Sequence, residues 1–336
     1  MPQEDSAIAI LARFREPVDR EIRELLSGRP DILLYEMMRY HLGLDEVARS
    51  GKRVRAAICF LCCQSAGGEP ESAAPAAAAV ELVHSFTLLH DDVADGDATR
   101  RGRETVWRRW GVGQAITAGD ALFALANLAV VDRSRGPLPE ASLRELNAAI
   151  LAVCEGQQLD ISYEGRLHIT IDEYLAMIER KTAALFAAAC ALGARAAGAD
   201  EDCLGALTRF GRELGIGFQI RDDVLGLWGR EDALGKPVGS DLRRNKRSLP
   251  IVHALAAAGR AERDTLIGLL EGGVPTDEEA AGIAARMEEL GSRAFCERLA
   301  KASLNRGLEA LAQAKPESGP AADLRTLADY LIERTQ

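Results

Sequence analysis

The chain has 336 residues, of which 47% are hydrophobic, and its 41 basic and 51 acidic residues give a net charge of −10. This much apolar material excludes a disordered chain, and the acidic balance argues against a nucleic-acid-binding protein, whose contact face is usually basic. Any anionic ligand must therefore be met by a local cluster of basic side chains.

The N-terminus, MPQEDSAIAI, lacks the basic start and long apolar core of a signal peptide. The longest uncharged run that resembles a membrane segment, Thr182 to Ala194, has 13 residues, fewer than the roughly 20 needed to span a bilayer. Cys59 and Cys62 match CxxC, but their apolar surroundings favour core packing over a redox or zinc site. We expect a soluble, cytoplasmic protein without a membrane span.

The hydrophobic pattern is helical almost throughout, as in Leu143, Leu146 and Ile150. Two capping boxes, at Thr170–Glu173 and Thr276–Glu279, predict helix starts. No repeat recurs at a fixed period. We therefore predict one all-α domain over residues 1–336, with about a dozen helices. Breaks between helices are predicted at Gly28–Asp31, Gly67–Pro70, Arg133–Pro139, Gly198–Asp200, Gly229–Lys246 and Lys315–Pro320.

A first basic motif, Gly51-Lys-Arg-Val-Arg55, precedes an apolar helix. Lys52, Arg53 and Arg55 thus lie at a helix start, where backbone N–H groups and the helix dipole also favour anions. This position predicts an anion-binding site.

The first acidic motif closes the apolar helix ELVHSFTLLHDDVAD. Asp91, Asp92 and Asp95 fall within about one helical turn, so each carboxylate resists ionising beside the others. A divalent cation removes that cost, and magnesium prefers such oxygen ligands together with water and substrate phosphates. Arg100 and Arg101 follow at once and indicate a polyphosphate clamp, whereas a solvated acidic helix end is the plainer alternative.

Further along, Lys181 and Thr182 stand within an apolar helical pattern. The lysine either extends to solvent or points at a buried anion. In GIGFQIRDDVLGLWG, Gln219, Asp222 and Asp223 share one face near a helix C-terminus. The loop after this helix is rich in basic residues, namely Lys236, Arg243, Arg244, Lys246 and Arg247.

Together these motifs resemble those of the trans-isoprenyl diphosphate synthase (polyprenyl synthetase) family, and geranylgeranyl diphosphate synthases in particular. The resemblance covers about residues 48–250 and follows the family's order: GKRVR, ELVHSFTLLHDDVADGDATRRG, KT, GFQIRDDVLG, GKPVGSD and NKRSLP. It implies the isoprenoid synthase fold, a single large bundle of helices around a central cavity. It also implies a homodimer.

The implied activity is transfer of an allylic diphosphate onto isopentenyl diphosphate, head to tail, dependent on Mg²⁺ with three ions per site once diphosphate is bound. Metal ligands by resemblance are Asp91, Asp92, Asp95, Asp222 and Asp223. The allylic diphosphate would be held by Arg100, Lys181, Thr182, Gln219, Lys236 and Lys246. Isopentenyl diphosphate would be held by Lys52, Arg53 or Arg55, His84 and Arg101. Without the resemblance, His84 would be interpreted as a core histidine.

Product length is implied by the residues below the first acidic motif. Phe86 lies about 7.5 Å down the helix from Asp91, where an aromatic side chain in this family blocks the growing tail. Thr87 is not aromatic. This pattern resembles enzymes that make the twenty-carbon geranylgeranyl product, with fifteen-carbon farnesyl diphosphate second; ordinary core packing of Phe86 is the alternative.

One position departs from the family. Gly226 stands where many members have a third aspartate in the second acidic motif, so one magnesium would be held less fully. This departure leaves open a non-catalytic subunit of a heteromeric synthase, which would be inactive alone.

Two other rival functions remain. One is a class I terpene cyclase on the same fold, which would not require isopentenyl diphosphate. The other is a redox or zinc module built on Cys59 and Cys62.

Overall fold

The computed structural model describes residues 2–44, 51–133, 139–229, 240–243 and 246–334. Of these residues 82% are helical, which confirms the all-α prediction. The helices are α1 (Pro2–Leu26), α2 (Leu33–Leu42), α3 (Val54–Ser65), α4 (Pro70–Ala94), α5 (Val106–Trp110), α6 (Val112–Arg133), α7 (Pro139–Tyr163), α8 (Ile171–Ile178), α9 (Ala184–Ala196), α10 (Glu201–Trp228), α11 (Ser240–Arg243), α12 (Leu249–Ala257), α13 (Arg260–Glu271), α14 (Asp277–Glu289), α15 (Ser292–Gln313) and α16 (Ser318–Glu333).

The chain divides into two compact units. The first comprises Met1–Ile150, Ala187–Thr208 and Leu311–Leu327, and the second comprises Leu151–Phe186, Arg209–Ala310 and Ala328–Gln336. A single domain over residues 1–336 stays a prediction.

The core of the first unit is built on α4, which packs against α1, α3 and α6. Its N-terminal half is rich in alanine, the best helix former, and the small side chains at residues 76–79 are buried. Between α1 and α3, the rings of Phe14 and Phe60 stack with centroids 5.2 Å apart. These contacts fix the direction of α4, and so fix where its acidic C-terminal end lies within this unit.

The second unit has an aliphatic core made largely by helices that follow α10. Its buried side chains are Leu227, Leu242, Ile251, Ala254, Leu255, Ala258, Leu266, Leu270, Ala280, Ile283 and Met287. The rings of Phe186 and Phe218, 5.3 Å apart, join the start of α9 to α10. This packing positions the C-terminal part of α10, which carries the second acidic motif.

Some helix ends follow local sequence rules. Both predicted capping boxes form, at Thr170–Glu173 and at Thr276–Glu279. The predicted break at 315–320 is too long by a few residues, because α16 begins at Ser318 and proline is tolerated in the first turn of a helix. The predicted breaks around residues 134–138 and 230–239 lie outside the described residues.

Among the described residues, two helices are long and apolar enough to cross a membrane by length and composition. These are α4, of whose most apolar window 72% is buried, and α6, of whose window 44% is buried. The uncharged run that resembles a membrane segment in the sequence, Thr182 to Ala194, lies in neither helix. The mean hydropathy of a helix can stay high despite one or two charged residues. A buried core helix passes the same test, so this is weak evidence of a membrane span.

Candidate functional site

In the first unit, α4 places the first acidic motif in its last turn, with Asp95 as the C-cap residue. Asp92 is only 1% exposed, and its Oδ1 accepts a 2.6 Å hydrogen bond from Arg100 Nε. Burial raises the pKa of Asp92 to about 6, although Arg100 opposes the shift.

The second oxygen of this carboxylate, Asp92 Oδ2, is buried and has no hydrogen-bond partner among the described residues. A buried acceptor without a donor is costly, so the site fits a cation at this oxygen. No three acidic, histidine or cysteine side chains in the described residues converge tightly enough to enclose a metal alone. Magnesium bound here would complete its coordination with water and diphosphate oxygens.

A short β-hairpin after α4 carries the two arginines that follow the first acidic motif, Arg100 and Arg101. Strands β1 (Thr99–Arg100) and β2 (Arg103–Glu104) pair antiparallel, and the turn residues between them, Arg101 and Gly102, have φ of 52° and 74°. Two positive φ values are typical of a type I′ turn. The left-handed conformation costs Arg101 about 1 kcal/mol. The helical pattern of the sequence predicts no strand here, so the hairpin was not predicted.

Arg101 packs directly on the backbone of the first basic motif. A Cβ added to Gly51 would lie 2.6 Å from Arg101 Nη2, so a larger residue at this position would displace the guanidinium. Burial, followed by the charge of Arg53, lowers the pKa of Arg101. The two predicted motifs are thus brought together.

Two neutral histidines lie in this basic cluster. Burial lowers the pKa of His84 well below its ordinary value, and Arg55 and Arg101 lower it further. Burial and Arg101 also lower the pKa of His41, to about 3, against a hydrogen bond to the backbone of Ser85. His41 was not predicted, since nothing in its local sequence distinguishes it. Concentrated positive charge beside uncharged imidazoles is an environment suited to an anion.

Arg53 differs from its neighbours because it is 3% exposed. Its Nε donates to Asp19 Oδ1 at 3.0 Å and its NH2 to the carbonyl oxygen of Leu42 at 2.8 Å, and Glu81 Oε2 lies 3.7 Å from its NH1. The guanidinium is therefore committed to internal ion pairs. Of the two arginines predicted to hold isopentenyl diphosphate, Arg55 is the one that this geometry favours. Lys52 is exposed.

In the second unit, Lys181 and Thr182 lie in a π-helical turn, Glu179–Ala183, between α8 and α9. Such turns are frequent at functional sites. Lys181 Nζ pairs with Asp160 of α7, and Gly156, one turn earlier, lies so close that an added Cβ would overlap the Lys181 backbone. Asp160 escaped the sequence analysis because it carries no motif recognisable by itself.

The two aspartates of the second acidic motif have different surroundings. Asp222 is 39% exposed and its Oδ1 pairs with the guanidinium of Arg334. Asp223 is 5% exposed and accepts hydrogen bonds from Gln219 Nε2 at 3.1 Å, from the backbone N–H of Leu249 at 3.0 Å and from the hydroxyl of Tyr174.

A cavity of about 60 Å³ is lined by Asp160, Tyr174, Met177, Ile178, Lys181, Gln219, Asp223, Lys246, Arg247 and Ser248. It brings together four predicted residues: Lys181, Gln219, Asp223 and Lys246. Lys236 and Arg244 lie outside the described residues. Tyr174 and Arg334 were not predicted, although Tyr174 precedes Lys181 by seven residues, or about two helical turns, and this spacing was a usable signal.

The predicted chain-length residues lie on α4. Phe86 is 7% exposed, and its ring meets those of His90 and of Phe123 on α6 edge to face, at 5.6 and 5.9 Å. Thr87 Oγ1 donates to the carbonyl oxygen of His84 at 2.8 Å. Phe86, His90 and Phe123 thus form an aromatic group where α4 packs against α6.

The family model for polyprenyl synthetases matches residues 33–287. The chain is 41% identical to geranylgeranyl diphosphate synthase of Mycobacterium tuberculosis, covering 98% of this chain and 95% of that one. It is 38% identical to (2E,6E)-farnesyl diphosphate synthase of Mycobacterium bovis, covering 99% and 96%. A polyprenyl synthase from Caulobacter crescentus CB15, crystallised with calcium and isoprenyl diphosphate, superposes with a TM-score of 0.86 at 30% identity, covering 98% of both chains.

Proposed function

Since the chain belongs to the polyprenyl synthetase family and is a short-chain trans-prenyl diphosphate synthase, we propose that it makes geranylgeranyl diphosphate in a magnesium-dependent reaction. Enzymes of this family are transferases that use an allylic diphosphate and isopentenyl diphosphate. They depend on divalent metal ions in general.

The metal proposal rests on Asp92 Oδ2, the buried carboxylate oxygen without a hydrogen-bond partner among the described residues. Asp91, Asp92 and Asp95 would hold magnesium at the end of α4, and Asp222 would do so in the second motif. Calcium in the Caulobacter relative supports oxygen ligation of a divalent ion. We propose three magnesium ions per site with diphosphate bound, as the resemblance implies.

The substrate contacts follow the charges of each unit. Lys52, Arg55, His84 and Arg101 would bind isopentenyl diphosphate, because this region combines positive charge with neutral imidazoles. Arg100, Lys181, Thr182, Gln219 and Lys246 would bind the allylic diphosphate, together with Lys236, which lies outside the described residues.

These residues would act mainly by electrostatics. The basic side chains would neutralise the charge that grows on the leaving diphosphate, and magnesium held by the aspartates would supply further positive charge there. The allylic carbon–oxygen bond would then break, and diphosphate would depart with the electron pair. The double bond of isopentenyl diphosphate then attacks the allylic carbon, forming a carbon–carbon bond, and the resulting cation loses a proton to diphosphate. No dedicated protein base is needed.

A twenty-carbon product is proposed because Phe86 would limit the length of the growing chain. Its ring packs against those of His90 and Phe123. Farnesyl diphosphate is the second candidate, because relatives of both kinds are equally extensive matches.

We also propose a cytoplasmic homodimer. Val112, Ile116 and Phe123 lie along one stripe of α6 and are 47, 43 and 36% exposed, which is unusual for large apolar side chains in a cluster. A second copy of the chain would cover them. Ile116→Asp should give monomers in sedimentation velocity, and a dimer that survives this change would exclude the stripe as the interface.

Product analysis tests the whole proposal. The purified chain would receive isopentenyl diphosphate with the five-, ten- or fifteen-carbon allylic primer, with magnesium or with a chelator. A linear twenty-carbon diphosphate formed only with magnesium is the expected result. A cyclic hydrocarbon formed without isopentenyl diphosphate would identify a cyclase, and no product from any primer would point to a non-catalytic subunit, with Gly226 as the first suspect.

A further inference from the structure

The carboxylate of Asp223 is already engaged by protein donors. Oδ2 accepts from the Tyr174 hydroxyl and the Leu249 N–H, and Oδ1 accepts from Gln219 Nε2. A carboxylate offers about four lone-pair sites. In Asp223, which is 5% exposed, at least three of them accept hydrogen bonds from the protein. Its neighbour Asp222, at 39% exposure, is far more accessible to an ion.

These contacts extend into a longer network. Gln219 Nε2 donates a hydrogen bond to Asp223, and Gln219 Oε1 accepts a hydrogen bond of 2.7 Å from the Thr182 hydroxyl. The amide is thereby fixed in one orientation, because each end has a single kind of partner. The rotamers of Gln219 and Thr182 thus depend on Asp223.

The bond to Leu249 reaches a second predicted element. Leu249 is the first residue of α12, where N–H groups lack intrahelical partners and negative charge is favoured. Asp223 supplies both an acceptor and a charge at that helix start. The residues just before it, Lys246 and Arg247, line the same small cavity as Asp223.

We infer that Tyr174 and Asp223 are positioning residues: the Tyr174 hydroxyl holds Asp223, and Asp223 orients Gln219, Thr182 and the start of α12 towards the allylic diphosphate instead of ligating metal directly. The inference rests on the proposed function, since it concerns how the proposed diphosphate contacts are held. It leaves Asp222 as the aspartate of the second motif that ligates the metal.

Tyr174→Phe is the least disruptive test, because it removes one hydroxyl and keeps the ring of a side chain that is 2% exposed. Tyr163→Phe is a matched control from the same unit. Tyr163 is also buried, at 5% exposure, but its hydroxyl lies 3.5 Å from the backbone oxygen of Glu173 and does not contact the network.

The expected result for Tyr174→Phe is a KM for the allylic substrate raised about 10-fold, the loss expected for one hydrogen bond to a charged group. The KM for isopentenyl diphosphate should stay unchanged, which general destabilisation would not produce. Tyr163→Phe should alter neither constant. An unchanged allylic KM in Tyr174→Phe, or an equal rise in both variants, would overturn the positioning role.

Metal binding gives a second readout that does not need turnover. Mn²⁺ binding in the presence of inorganic pyrophosphate would be followed by electron paramagnetic resonance in wild type, Asp222→Asn, Asp223→Asn and Tyr174→Phe. We expect Asp222→Asn to lose at least one ion, and Tyr174→Phe and Asp223→Asn to keep the wild-type number.

The two failures are distinguishable. If wild type binds Mn²⁺ with pyrophosphate but Asp223→Asn loses it as Asp222→Asn does, Asp223 is a metal ligand and the inference fails while the proposed function stands. If the wild type binds no Mn²⁺ with pyrophosphate, the proposed function is wrong, and the inference that depends on it is wrong as well. Should Asp223→Asn not fold, Tyr174→Phe decides alone, since a lower Mn²⁺ number in this variant also contradicts the inference.

Discussion

The guanidinium of Arg334 is paired with the carboxylate of Asp222. Two further contacts hold it there: the Arg221 Nε donates to the Arg334 backbone oxygen at 2.7 Å, and the Arg334 guanidinium lies 4.8 Å from the centre of the Phe218 ring. An arginine near the end of the chain thus occupies an oxygen that the proposed function assigns to magnesium. The two cations compete for one carboxylate.

Arg334→Gln should therefore strengthen Mn²⁺ binding in the presence of inorganic pyrophosphate. We expect an increase of about two- to five-fold, the size of a partly exposed ion pair, measured by titration calorimetry. Arg306→Gln is the control, because it removes the same charge from an ion pair with Glu213 in the same unit. Weaker binding in Arg334→Gln would mean that the arginine assists the metal.

Metal binding should weaken below about pH 6. The pKa of Asp92 is raised to about 6 by burial, and only the ionised carboxylate ligates metal. As the pH falls from 6 to 5, apparent affinity should drop about 5-fold, and the number of protons released per binding event should rise from about half to nearly one. Calorimetry in two buffers of different ionisation enthalpy counts these protons.

In the absence of metal, the folding stability should depend on pH in the opposite direction, decreasing as the pH rises. Between the ordinary aspartate pKa and about 6, folded Asp92 binds more protons than unfolded Asp92, so the free energy of unfolding falls as pH rises. Asp92→Asn should remove this slope. If the metal-free wild type and Asp92→Asn show the same dependence between pH 4.5 and 6.5, Asp92 does not titrate there.

Gly156→Ala should damage the enzyme through Lys181. The added methyl group would overlap backbone atoms of Lys181, which cannot rotate away as a side chain can. We expect a loss of about 1–3 kcal/mol in the free energy of unfolding and a fall in kcat/KM of at least about 10-fold, because the π-helical turn must shift. Chemical denaturation and steady-state kinetics measure the two effects.

Gly282→Ala is the matched control. Gly282 lies within α14 of the same unit with nothing near its missing Cβ, so alanine should stabilise by about 0.5–1 kcal/mol and leave kinetics unchanged. If both alanine variants keep wild-type kcat/KM, the close approach at Gly156 has no catalytic consequence.

Phe86→Ala should lengthen the product beyond twenty carbons, because it opens the aromatic group between α4 and α6. Chromatography of the dephosphorylated products would measure chain length. The truncation should also cost about 3–5 kcal/mol of stability, so Phe210→Ala, another buried phenylalanine, controls for destabilisation. A product of unchanged length in Phe86→Ala would mean that Phe86 serves only in packing.

Short-range features were predictable from the sequence, and long-range partners were not. The capping box at Thr170–Glu173 formed as expected, because both partners lie within one turn. By contrast, Lys181 pairs with Asp160 from 21 residues away, Asp223 with Tyr174 from 49, and Asp222 with Arg334 from 112. Only the tertiary fold brings such pairs together.

The same reason explains why neither the buried ion pair of Arg53 nor the hairpin could be predicted from the sequence. The two arginines of GKRVR, Arg53 and Arg55, cannot be distinguished by residue type. Only the fold shows that Arg53 forms a buried ion pair with Asp19. The hairpin has strands of two residues and an arginine at positive φ, and neither has a signal in hydrophobic periodicity.

The ion pair between Arg53 and Asp19 also limits how far the chain can be shortened. Asp19 lies in α1, before residue 33, where the family match begins. A chain trimmed to the matched segment would leave the buried Arg53 with Glu81, 3.7 Å away, but without Asp19, and removing one partner of a buried ion pair costs about 3–5 kcal/mol. The first helix is therefore not a dispensable extension, even though no predicted substrate contact lies on it.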